Sequence, residues 1–330
     1  MTKAPDMILF GLETSRTFAE AVASHLGRSL AAHEERDFEY GEHKTRPLVE
    51  VGGRDVFVIQ NLNGDPAQSA NDKLVRLLFF IGALKDAGAT RVTAVSPYLA
   101  FSRKDRRTKP RDPVNSRYVA ALFEAMRTDC IVTCEAHNVS AFENAFRSCR
   151  PEHVPTPDLF VEDLASRLGN GPVAVVSPDA GGAKRAELFR TRLERRLGRA
   201  AGKAILDKHR SMGVVSGTLF AGDVAGRTAI IVDDLISSGT TIVRATHACR
   251  NAGAERVIAV AAHGVFTGGA PALFGAEGPD EVVVTDTIPP AGLPEQARAK
   301  LRLVSAASLI GNVIARLHAG EPVSDLLPYD

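Results

Sequence analysis

Residues 229–243 read AIIVDDLISSGTTIV, an apolar run followed by two carboxylates, a series of small and hydroxyl residues, and the start of a helical pattern. The apolar run 229–232 is rich in β-branched side chains, which predicts a central strand of a parallel sheet covered on both faces. Asp233 and Asp234 would then lie at the carboxyl end of this strand, the edge at which open α/β sheets bind ligands. The stretch therefore predicts an α/β fold with a ligand site at this strand end.

The loop after the two acids has the composition of an anion-binding loop. Its small residues let the backbone wrap an anion, and the helix that follows would direct its free N–H groups and positive dipole end at the same point. A phosphate held there leaves the acids free to bind ribose hydroxyls or Mg²⁺. An ordinary strand–turn–helix is the alternative, but an N-cap needs one hydroxyl and no paired acids. The loop residues are Ser237, Ser238, Gly239, Thr240 and Thr241.

This stretch resembles the phosphoribosyl-pyrophosphate (PRPP) loop of two enzyme families, the type I phosphoribosyltransferases and the ribose-phosphate pyrophosphokinases, or PRPP synthetases. The resemblance implies that the loop binds the 5-phosphate of ribose 5-phosphate, and that Asp233 and Asp234 bind its ribose hydroxyls. Both families have the loop, so the remainder of the chain decides between them.

The size and composition of the chain limit the classes of function. A chain of 330 residues has room for two domains, and 45% hydrophobic with 24% charged residues is typical of a soluble globular protein. The net charge of +1 argues against attraction of the whole surface to nucleic acid or anionic lipid. The N-terminus lacks an apolar segment of signal-peptide length, and the apolar stretch 74–84 is short and broken by Arg76. We therefore expect a cytoplasmic protein with no nucleic-acid and no membrane partner.

Two of the four cysteines, Cys130 and Cys134, lie close to His137 in the sequence, which raises the alternative of a zinc site. Their spacing to Cys149 matches no usual pattern of paired zinc ligands, and reduced thiols are the normal state in the cytosol. We expect reduced, partly buried cysteines.

The chain contains a weak internal repeat. The sequence AGATRVTAV at residues 87–95 returns as AGAERVIAV at residues 252–260, 165 positions later, which is half the chain length. Each copy has the pattern of a helix, a glycine stop and an apolar strand, which predicts two similar α/β domains in tandem. The first copy has Gln60 and Asn61 in place of the paired acids, so only the C-terminal half keeps the phosphate loop.

The predicted boundary between the domains lies within residues 150–158, where three prolines in nine residues oppose both helix and central strand. We predict domains at residues 1–152 and 153–330. By the resemblance, each is a type I phosphoribosyltransferase-like domain with a mainly parallel sheet flanked by helices. Residues 305–318 have the spacing of an amphipathic helix that can pack back on the first domain.

Residues 38–42, FEYGE, form a polar turn before a predicted strand at residues 48–51. On its own this pattern is typical of a hairpin turn. It resembles, however, the Phe-x-Asp-Gly-Glu loop with which PRPP synthetases reach across a subunit interface to the adenine of ATP. The resemblance implies ATP contacts for Phe38, Tyr40 and Glu42. Tyr40 stands where the family has Asp, which alters the expected adenine contacts.

Six basic residues fall within the nine positions 103–111. A solvated loop or a nucleic-acid patch are the alternatives, but the chain is nearly neutral and offers few aromatic residues here for base stacking. The segment resembles the ATP-binding Pro-Tyr-x-x-Tyr-x-Arg-Gln-Asp-Arg-Lys segment of PRPP synthetases. Arg103 and Asp105 match, whereas Lys104 replaces the family's Gln, and the resemblance implies that all three bind ATP.

Two further segments imply a Mg²⁺ site. Residues 135–138, EAHN, resemble the family's Asp-Leu-His-Ala, whose His binds the Mg²⁺ of MgATP, which implies His137 as a ligand. Residues 177–185, SPDAGGAKR, resemble the family's Ser-Pro-Asp-x-Gly-Gly-x-x-Arg. Its two glycines allow backbone N–H groups to approach a phosphate, and Asp179 at the predicted strand end can bind a metal ion or a ribose hydroxyl.

The predicted strand at residues 204–207 leads into Lys208, His209 and Arg210. In isolation, Lys208 and Arg210 would be surface cations. They match the Lys-x-Arg motif of the family's flexible loop, which closes over the diphosphoryl group during transfer. The resemblance implies that both residues are catalytic.

The resemblance to PRPP synthetases runs from residue 38 to residue 324 with its segments in the family's order. Because a simple phosphoribosyltransferase needs one domain only, the duplication and the ATP-like segments favour PRPP synthetase. The implied reaction transfers the β,γ-diphosphoryl group of MgATP to the C1 hydroxyl of ribose 5-phosphate, giving PRPP and AMP.

Two alternatives remain open at this point. One is a variant synthetase with another nucleotide or sugar-phosphate preference, as the departures at Tyr40 and Lys104 suggest. The other is a non-catalytic regulatory paralogue, which loss of Lys208, Arg210 or the paired acids would support; all of these residues are present. The resemblance also implies a homo-oligomer, either a dimer or a hexamer of dimers.

Overall fold

The structure is a computed structural model that describes residues 6–211 and 214–326, except for the side chains of residues 207–219, 269 and 325. The chain folds into two units: unit 1 is Met1–Pro155 with Ala306–Asp330, and unit 2 is Thr156–Ser305. Each unit has a parallel or mainly parallel sheet with helices, which confirms the predicted α/β fold class. Over the described ranges, no helix is long and apolar enough to cross a bilayer.

Unit 1 is built on a five-stranded parallel sheet with a separate antiparallel ribbon. Its elements in chain order are β1 (Met7–Gly11), α1 (Arg16–His25), β2 (His33–Asp37), β3 (His43–Pro47), β4 (Asp55–Ile59), α2 (Ala70–Asp86), β5 (Arg91–Val95), α3 (Asn115–Ala125), β6 (Cys130–Cys134), α4 (Val139–Glu143) and β7 (Arg150–Val154). The sheet order is β1-β4-β5-β6-β7, and β2 pairs with β3 in the ribbon.

The core of unit 1 includes the central strands and helix α2. All five residues of β4 are buried, as expected for a parallel strand covered on both faces. Helix α2 begins with a capping box, in which Ser69 accepts from the Asp72 N–H and the Asp72 carboxylate accepts from the Ser69 N–H. Its apolar face, including Leu77 and Ile81, is fully buried in the core.

The predicted strand at residues 48–51 is wrong, because the chain forms strand β3 just before it. Strands β2 and β3 are polar and stabilise each other through cross-strand ion pairs, with Glu34 bound to Lys44 and Arg46. Such pairs stabilise a ribbon without an apolar pattern. Leu48 and Val49, by contrast, are 53% and 38% exposed, and only Val51 of the predicted strand enters the core.

Unit 2 is built on a seven-stranded sheet in which only β10 runs antiparallel to its neighbour. Its elements are α5 (Pro157–Ala165), β8 (Val173–Ser177), α6 (Ala183–Leu197), β9 (Gly202–Ser211), β10 (Val214–Gly222), β11 (Thr228–Ile236), α7 (Thr240–Asn251), β12 (Arg256–Gly264), α8 (Pro271–Phe274), β13 (Glu281–Thr285), α9 (Ala297–Lys300) and β14 (Leu301–Val304). The sheet order is β10-β9-β8-β11-β12-β13-β14.

Strand β11 lies in the middle of this sheet between β8 and β12, which confirms the central strand predicted at residues 229–232. The two units repeat the same strand register. Met7 pairs with Asp55 and Asp55 with Arg91 in unit 1, as Val173 pairs with Thr228 and Thr228 with Arg256 in unit 2. Arg91 and Arg256 are the equivalent residues of the repeat found in the sequence.

Helix α10 (Ala307–Ala319) completes unit 1 by packing on α1. Its last turn is held by Asp55, a fully buried carboxylate at the start of β4. Asp55 accepts hydrogen bonds from Arg91 Nε at 2.8 Å and from His318 Nδ1 at 2.7 Å. Arg91 also donates from Nη2 to the Leu317 carbonyl at 2.7 Å. One buried charge therefore joins the C-terminal helix to the start of two strands.

The two units divide between Pro155 and Thr156, close to the predicted boundary after residue 152, and the chain from Ala306 belongs to unit 1. The amphipathic pattern of residues 305–318 allowed for this packing of the C-terminal helix on the first domain. The physical reason is the burial of the apolar face of α10, including Ile310 and Ile314, together with the Asp55 contacts described above.

We expect Asp55→Ala to destabilise unit 1, because it leaves the Arg91 guanidinium without its carboxylate. Removing one partner of a buried ion pair costs roughly 3–5 kcal/mol. The exposed pair between Asp6 and Arg54 provides the control, since Asp6→Ala should cost less than about 1 kcal/mol. Urea denaturation followed by circular dichroism measures both variants. Equal denaturation midpoints for the two variants would contradict the role of Asp55.

Candidate functional site

The predicted site residues of unit 2 lie at the carboxyl ends of two neighbouring strands. The pairing of β11 with β8 ends at Ile231 and Val176, while β11 continues beside β12 to Ile236. Asp233 and Asp234 therefore lie just beyond the last pair with β8. This register places the two acids at the sheet edge where the loop after β8 begins.

The two acids face one arginine. The Arg185 guanidinium lies 3.8 Å from an Asp233 oxygen and 3.6 Å from an Asp234 oxygen, and the Asp234 N–H donates to Asp233 at 2.9 Å. Burial, and next the charge of Asp234, raise the pKa of Asp233. Two adjacent carboxylates beside the Arg185 guanidinium suit ribose hydroxyls or a hard metal ion, since either would offset the repulsion between the acids.

Arg185 is a site residue that the sequence reasoning left without a role, although it ends the quoted motif of residues 177–185. The signal was present, because Arg185 lies in the first turn of α6, one helical turn after the glycines. What the sequence does not contain is the distance from this turn to the acids of β11.

The hydroxyl-rich loop shapes the start of helix α7. Gly239 has φ 79°, and a Cβ there would lie 2.8 Å from the Leu273 Cβ, so the position requires glycine. Ser237 shares a hydrogen bond with Thr267 at 2.9 Å, and Ser238 shares one with Thr240 at 3.0 Å. Among the described side chains none caps α7. The N–H groups of its first turn therefore remain available to an anion.

The loop after β8 forms a second glycine-lined turn. The Asp179 carboxylate accepts from the Gly182 N–H at 3.0 Å, and Ser177 Oγ donates to the Asp179 carbonyl at 2.7 Å. A Cβ at Gly182 would lie 3.0 Å from Ser177 Oγ, so a side chain there would crowd the turn. Asp179 thus fixes its own loop, and its role as a Mg²⁺ ligand stays a prediction.

In unit 1, a small pocket with a cavity volume of about 10 Å³ brings together Asp105 and His137. Asn138 donates to Asp105 at 2.7 Å, and this contact joins the basic loop to the turn after β6. Leu99 and Phe142 belong to the apolar part of the pocket wall. The structure therefore places two of the predicted nucleotide and metal residues in one concave site.

The basic loop is organised by Asp112, a residue that the sequence reasoning did not assign. Its carboxylate accepts from Lys104 Nζ at 2.5 Å, from the Thr108 N–H at 3.0 Å and from the Lys109 N–H at 2.9 Å. The Lys104 hydrogen bond above all, and then those of Thr108, hold the pKa of Asp112 well below its usual range. Lys104 is thus bound within its own loop, whereas Arg103 is exposed.

The remaining predicted ATP residues lie in the turn of the β2–β3 ribbon. Tyr40 has φ 63° and a fully exposed side chain. Phe38 is 39% exposed beneath the Arg36 guanidinium, which lies 5.1 Å from its ring centroid. Glu42 is also exposed. Within unit 1, this turn presents its aromatic groups to solvent.

The side chains of Lys208 and Arg210 lie outside the described part of the structure, so their catalytic role stays a prediction. Their backbone belongs to strand β9, where Lys208 pairs with Thr218 and Arg210 with Val215 of β10.

No group of three His, Cys, Asp or Glu side chains suited to a metal ion occurs among the described residues, and the cysteines are free and buried. Burial raises the pKa of the Cys130 and Cys249 thiols to about 12. These thiols are therefore protonated and unreactive at neutral pH.

Comparison with known proteins shows similarity along nearly the whole chain. A family model described as the N-terminal domain of ribose phosphate pyrophosphokinase matches residues 7–126, and one described as the phosphoribosyl synthetase-associated domain matches residues 216–328. Ribose-phosphate pyrophosphokinase of Brucella melitensis is 34% identical over 97% of this chain and 99% of its own length. That of Thermotoga maritima is 34% identical over 99% of both. The crystal structure of phosphoribosylpyrophosphate synthetase from Mycobacterium smegmatis superposes with a TM-score of 0.84 at 31% identity, covering 96% of this chain and 99% of that chain.

We expect Asp112→Asn to loosen the basic loop, because a neutral amide binds Lys104 and the two backbone N–H groups less strongly than a carboxylate. Trypsin should then cleave within residues 103–111 several times faster in the native protein. Asp86→Asn, which removes an exposed ion pair with Arg127, is the control and should leave this cleavage unchanged. An unchanged rate for Asp112→Asn would show that the carboxylate does not hold the loop.

We expect Asp233→Asn to stabilise the ligand-free protein at pH 8. A raised carboxyl pKa means that stability falls as pH rises from the usual Asp pKa to the raised value, because the unfolded chain loses its proton first. Asn removes this charge, so the free energy of unfolding should rise by roughly 1–3 kcal/mol at pH 8 and should not change near pH 4. Thermal melting at both pH values measures this gain.

Asp223→Asn is the matched control for this measurement. The N–H of Ala225, and next Arg227, lower the pKa of Asp223, so its substitution should not stabilise the protein. A melting temperature at pH 8 that does not rise in Asp233→Asn would contradict the unfavourable charge at Asp233.

Proposed function

Because this chain belongs to the ribose-phosphate pyrophosphokinase family, we propose that it is a ribose-phosphate diphosphokinase, which transfers the β,γ-diphosphoryl group of MgATP to the C1 hydroxyl of ribose 5-phosphate to give PRPP and AMP. One observation supports this proposal above the others. The paired acids Asp233 and Asp234 lie at the same sheet edge as the start of α7, whose first N–H groups have no side-chain cap, in a chain that is similar to such enzymes over nearly its full length.

We assign ribose 5-phosphate to unit 2. Its 5-phosphate binds the N–H groups at the start of α7 and the hydroxyls of residues 237–241, where backbone donors and the helix dipole favour an anion. The ribose hydroxyls bind Asp233 and Asp234, whose carboxylates accept hydrogen bonds from them. Arg185, between the acids, limits their repulsion and keeps them oriented.

We assign ATP to residues of unit 1. Arg103, Lys104 and Asp105 bind the nucleotide, and Asp105 shares a small, partly apolar pocket wall with His137. Phe38, Tyr40 and Glu42 contact the adenine. Their exposure within one chain supports the family's arrangement, in which this turn reaches a neighbouring subunit of a homo-oligomer.

We assign Mg²⁺ ligands to His137 and to Asp179, each within its own unit. Carboxylate oxygens such as those of Asp179 are ligands that Mg²⁺ prefers. Bound Mg²⁺ would neutralise part of the triphosphate charge.

The chemistry is an in-line displacement at the β-phosphorus. The C1 oxygen of ribose 5-phosphate bonds to the β-phosphorus and releases its proton to solvent. The bond between the β-phosphorus and the oxygen that bridges it to the α-phosphorus breaks, and AMP leaves with that oxygen. Positioning and charge stabilisation govern the rate of such a reaction. Lys208 and Arg210 are proposed to neutralise the charge that develops on the leaving oxygen.

The proposal is tested by incubating the protein with Mg²⁺, ribose 5-phosphate and a series of nucleoside triphosphates, and by measuring PRPP and the nucleoside monophosphate by chromatography. We expect equal amounts of PRPP and AMP, with ATP preferred. Preference for another nucleotide or sugar phosphate would support the variant synthetase suggested by Tyr40 and Lys104. No turnover with any pair of nucleoside triphosphate and sugar phosphate would refute the activity and favour the regulatory paralogue.

We also propose that the protein is located in the cytoplasm.

We expect Lys208→Ala to lower kcat by about 10²–10³-fold, because it removes a cation that acts mainly in the transition state. The KM for ribose 5-phosphate should change little, since that substrate binds elsewhere. Lys203→Ala is the control, because Lys203 lies on the same strand and forms an exposed ion pair with Glu187. Steady-state kinetics of both variants decides the matter, and unchanged turnover in Lys208→Ala would remove Lys208 from the mechanism.

A further inference from the structure

Arg244, on helix α7, contacts the turn after β8. It lies in the second turn of α7, and side chains of a helix lean toward its N-terminus, so Arg244 leans toward the hydroxyl-rich loop. Its Nη2 donates to the carbonyl of Pro178 at 3.4 Å, and Pro178 immediately precedes Asp179 in the glycine-lined turn. The guanidinium therefore reaches from the start of α7 to the loop after β8.

The guanidinium of Arg244 has more hydrogen-bonding capacity than the described structure uses. Its Nε is buried without a hydrogen-bond partner, and within the described ranges Arg244 forms no ion pair with a carboxylate. Arg250 on the same helix differs, since it binds the carbonyls of Ala276 and Gly278 and the carboxylate of Asp280. A half-buried cation with one long hydrogen bond bears a desolvation cost that an anionic ligand would offset.

We propose that Arg244 binds the diphosphate at C1 of PRPP, and the same group during its transfer. This inference rests on the proposed function. The start of α7 is assigned to the 5-phosphate, and Arg185 faces the two acids, so neither serves the diphosphate in this proposal. The donors of Arg244 lie near the loop of residues 178–182, because Arg244 contacts Pro178. A planar guanidinium can donate two parallel hydrogen bonds to phosphate oxygens, which suits a diphosphate held beside the glycine-lined turn after β8.

The experiment compares Arg244→Gln, Arg244→Lys and a control, Arg298→Gln, which removes an exposed arginine of α9. Isothermal titration calorimetry measures the affinity of each variant for PRPP and, separately, for ribose 5-phosphate, both with Mg²⁺. We expect Arg244→Gln to weaken PRPP binding by about tenfold or more, since a charged hydrogen bond is lost. Ribose 5-phosphate affinity should stay within about twofold, because that ligand lacks the diphosphate.

The conservative variant separates ligand binding from a structural role. Arg244→Lys keeps the charge but not the paired donors, so its PRPP affinity should fall between those of Arg244→Gln and the unchanged protein. If Arg244→Gln does not fold, as judged by thermal melting, the same comparison of PRPP with ribose 5-phosphate in Arg244→Lys decides the question.

Two results would overturn the inference. Equal weakening of both ligands would assign Arg244 to the 5-phosphate or to the fold, and unchanged PRPP affinity would remove it from the site. Failure of the unchanged protein to bind either ligand would instead refute the proposed function, which is a different outcome.

Discussion

The candidate site depends on the register between two parallel strands. Strand β8 stops pairing with β11 at Ile231, and β11 continues with β12 on its other side. The acids that follow Ile231 therefore have a sheet neighbour on one side and the loop after β8 on the other. A shift of one residue would turn each of them to the opposite face of the sheet. The apolar pairs of the sheet interior thus set the positions of polar groups at its edge.

The charges at this edge follow from the same arrangement. Asp233 and Asp234 are close enough to oppose each other's ionisation, and Arg185 offsets their charge only in part. A ligand whose hydroxyl groups donate hydrogen bonds to the two acids, or a bound cation, would reduce the repulsion between them. The loop before α7 has the opposite character, with uncapped N–H groups that favour an anion. A sugar phosphate has both kinds of group in one molecule, which makes it a suitable occupant of the combined surface.

Those features that depend on a local pattern could be predicted from the sequence. The apolar run 229–232 predicts a central strand because burial on both faces leaves few residue types possible. The small residues of the following loop predict a tight turn before α7 for a similar reason, since Gly239 adopts a backbone conformation that other residues disfavour.

Features that depend on distant partners could not be predicted in this way. Strands β2 and β3 contain mostly polar residues and form through cross-strand ion pairs, so hydrophobic patterning placed a strand too late in the chain. The roles of Arg185 and Asp112 depend on which carboxylate or amine the fold brings near them. The amphipathic pattern of α10 allows packing on the first domain, but it does not show that Asp55, more than 250 positions earlier, binds the last turn of this helix.

The contact between the C-terminal helix and Asp55 has a consequence for biosynthesis. Unit 1 is discontinuous, so its first 155 residues leave the ribosome long before the helix that completes their core is made. Unit 2 is contiguous and contains all of its own strands, so it can reach its native structure before unit 1 does. Loop closure over so long a separation is slow compared with local folding. The contacts of α10 with unit 1 therefore form only after the last part of the chain has been synthesised.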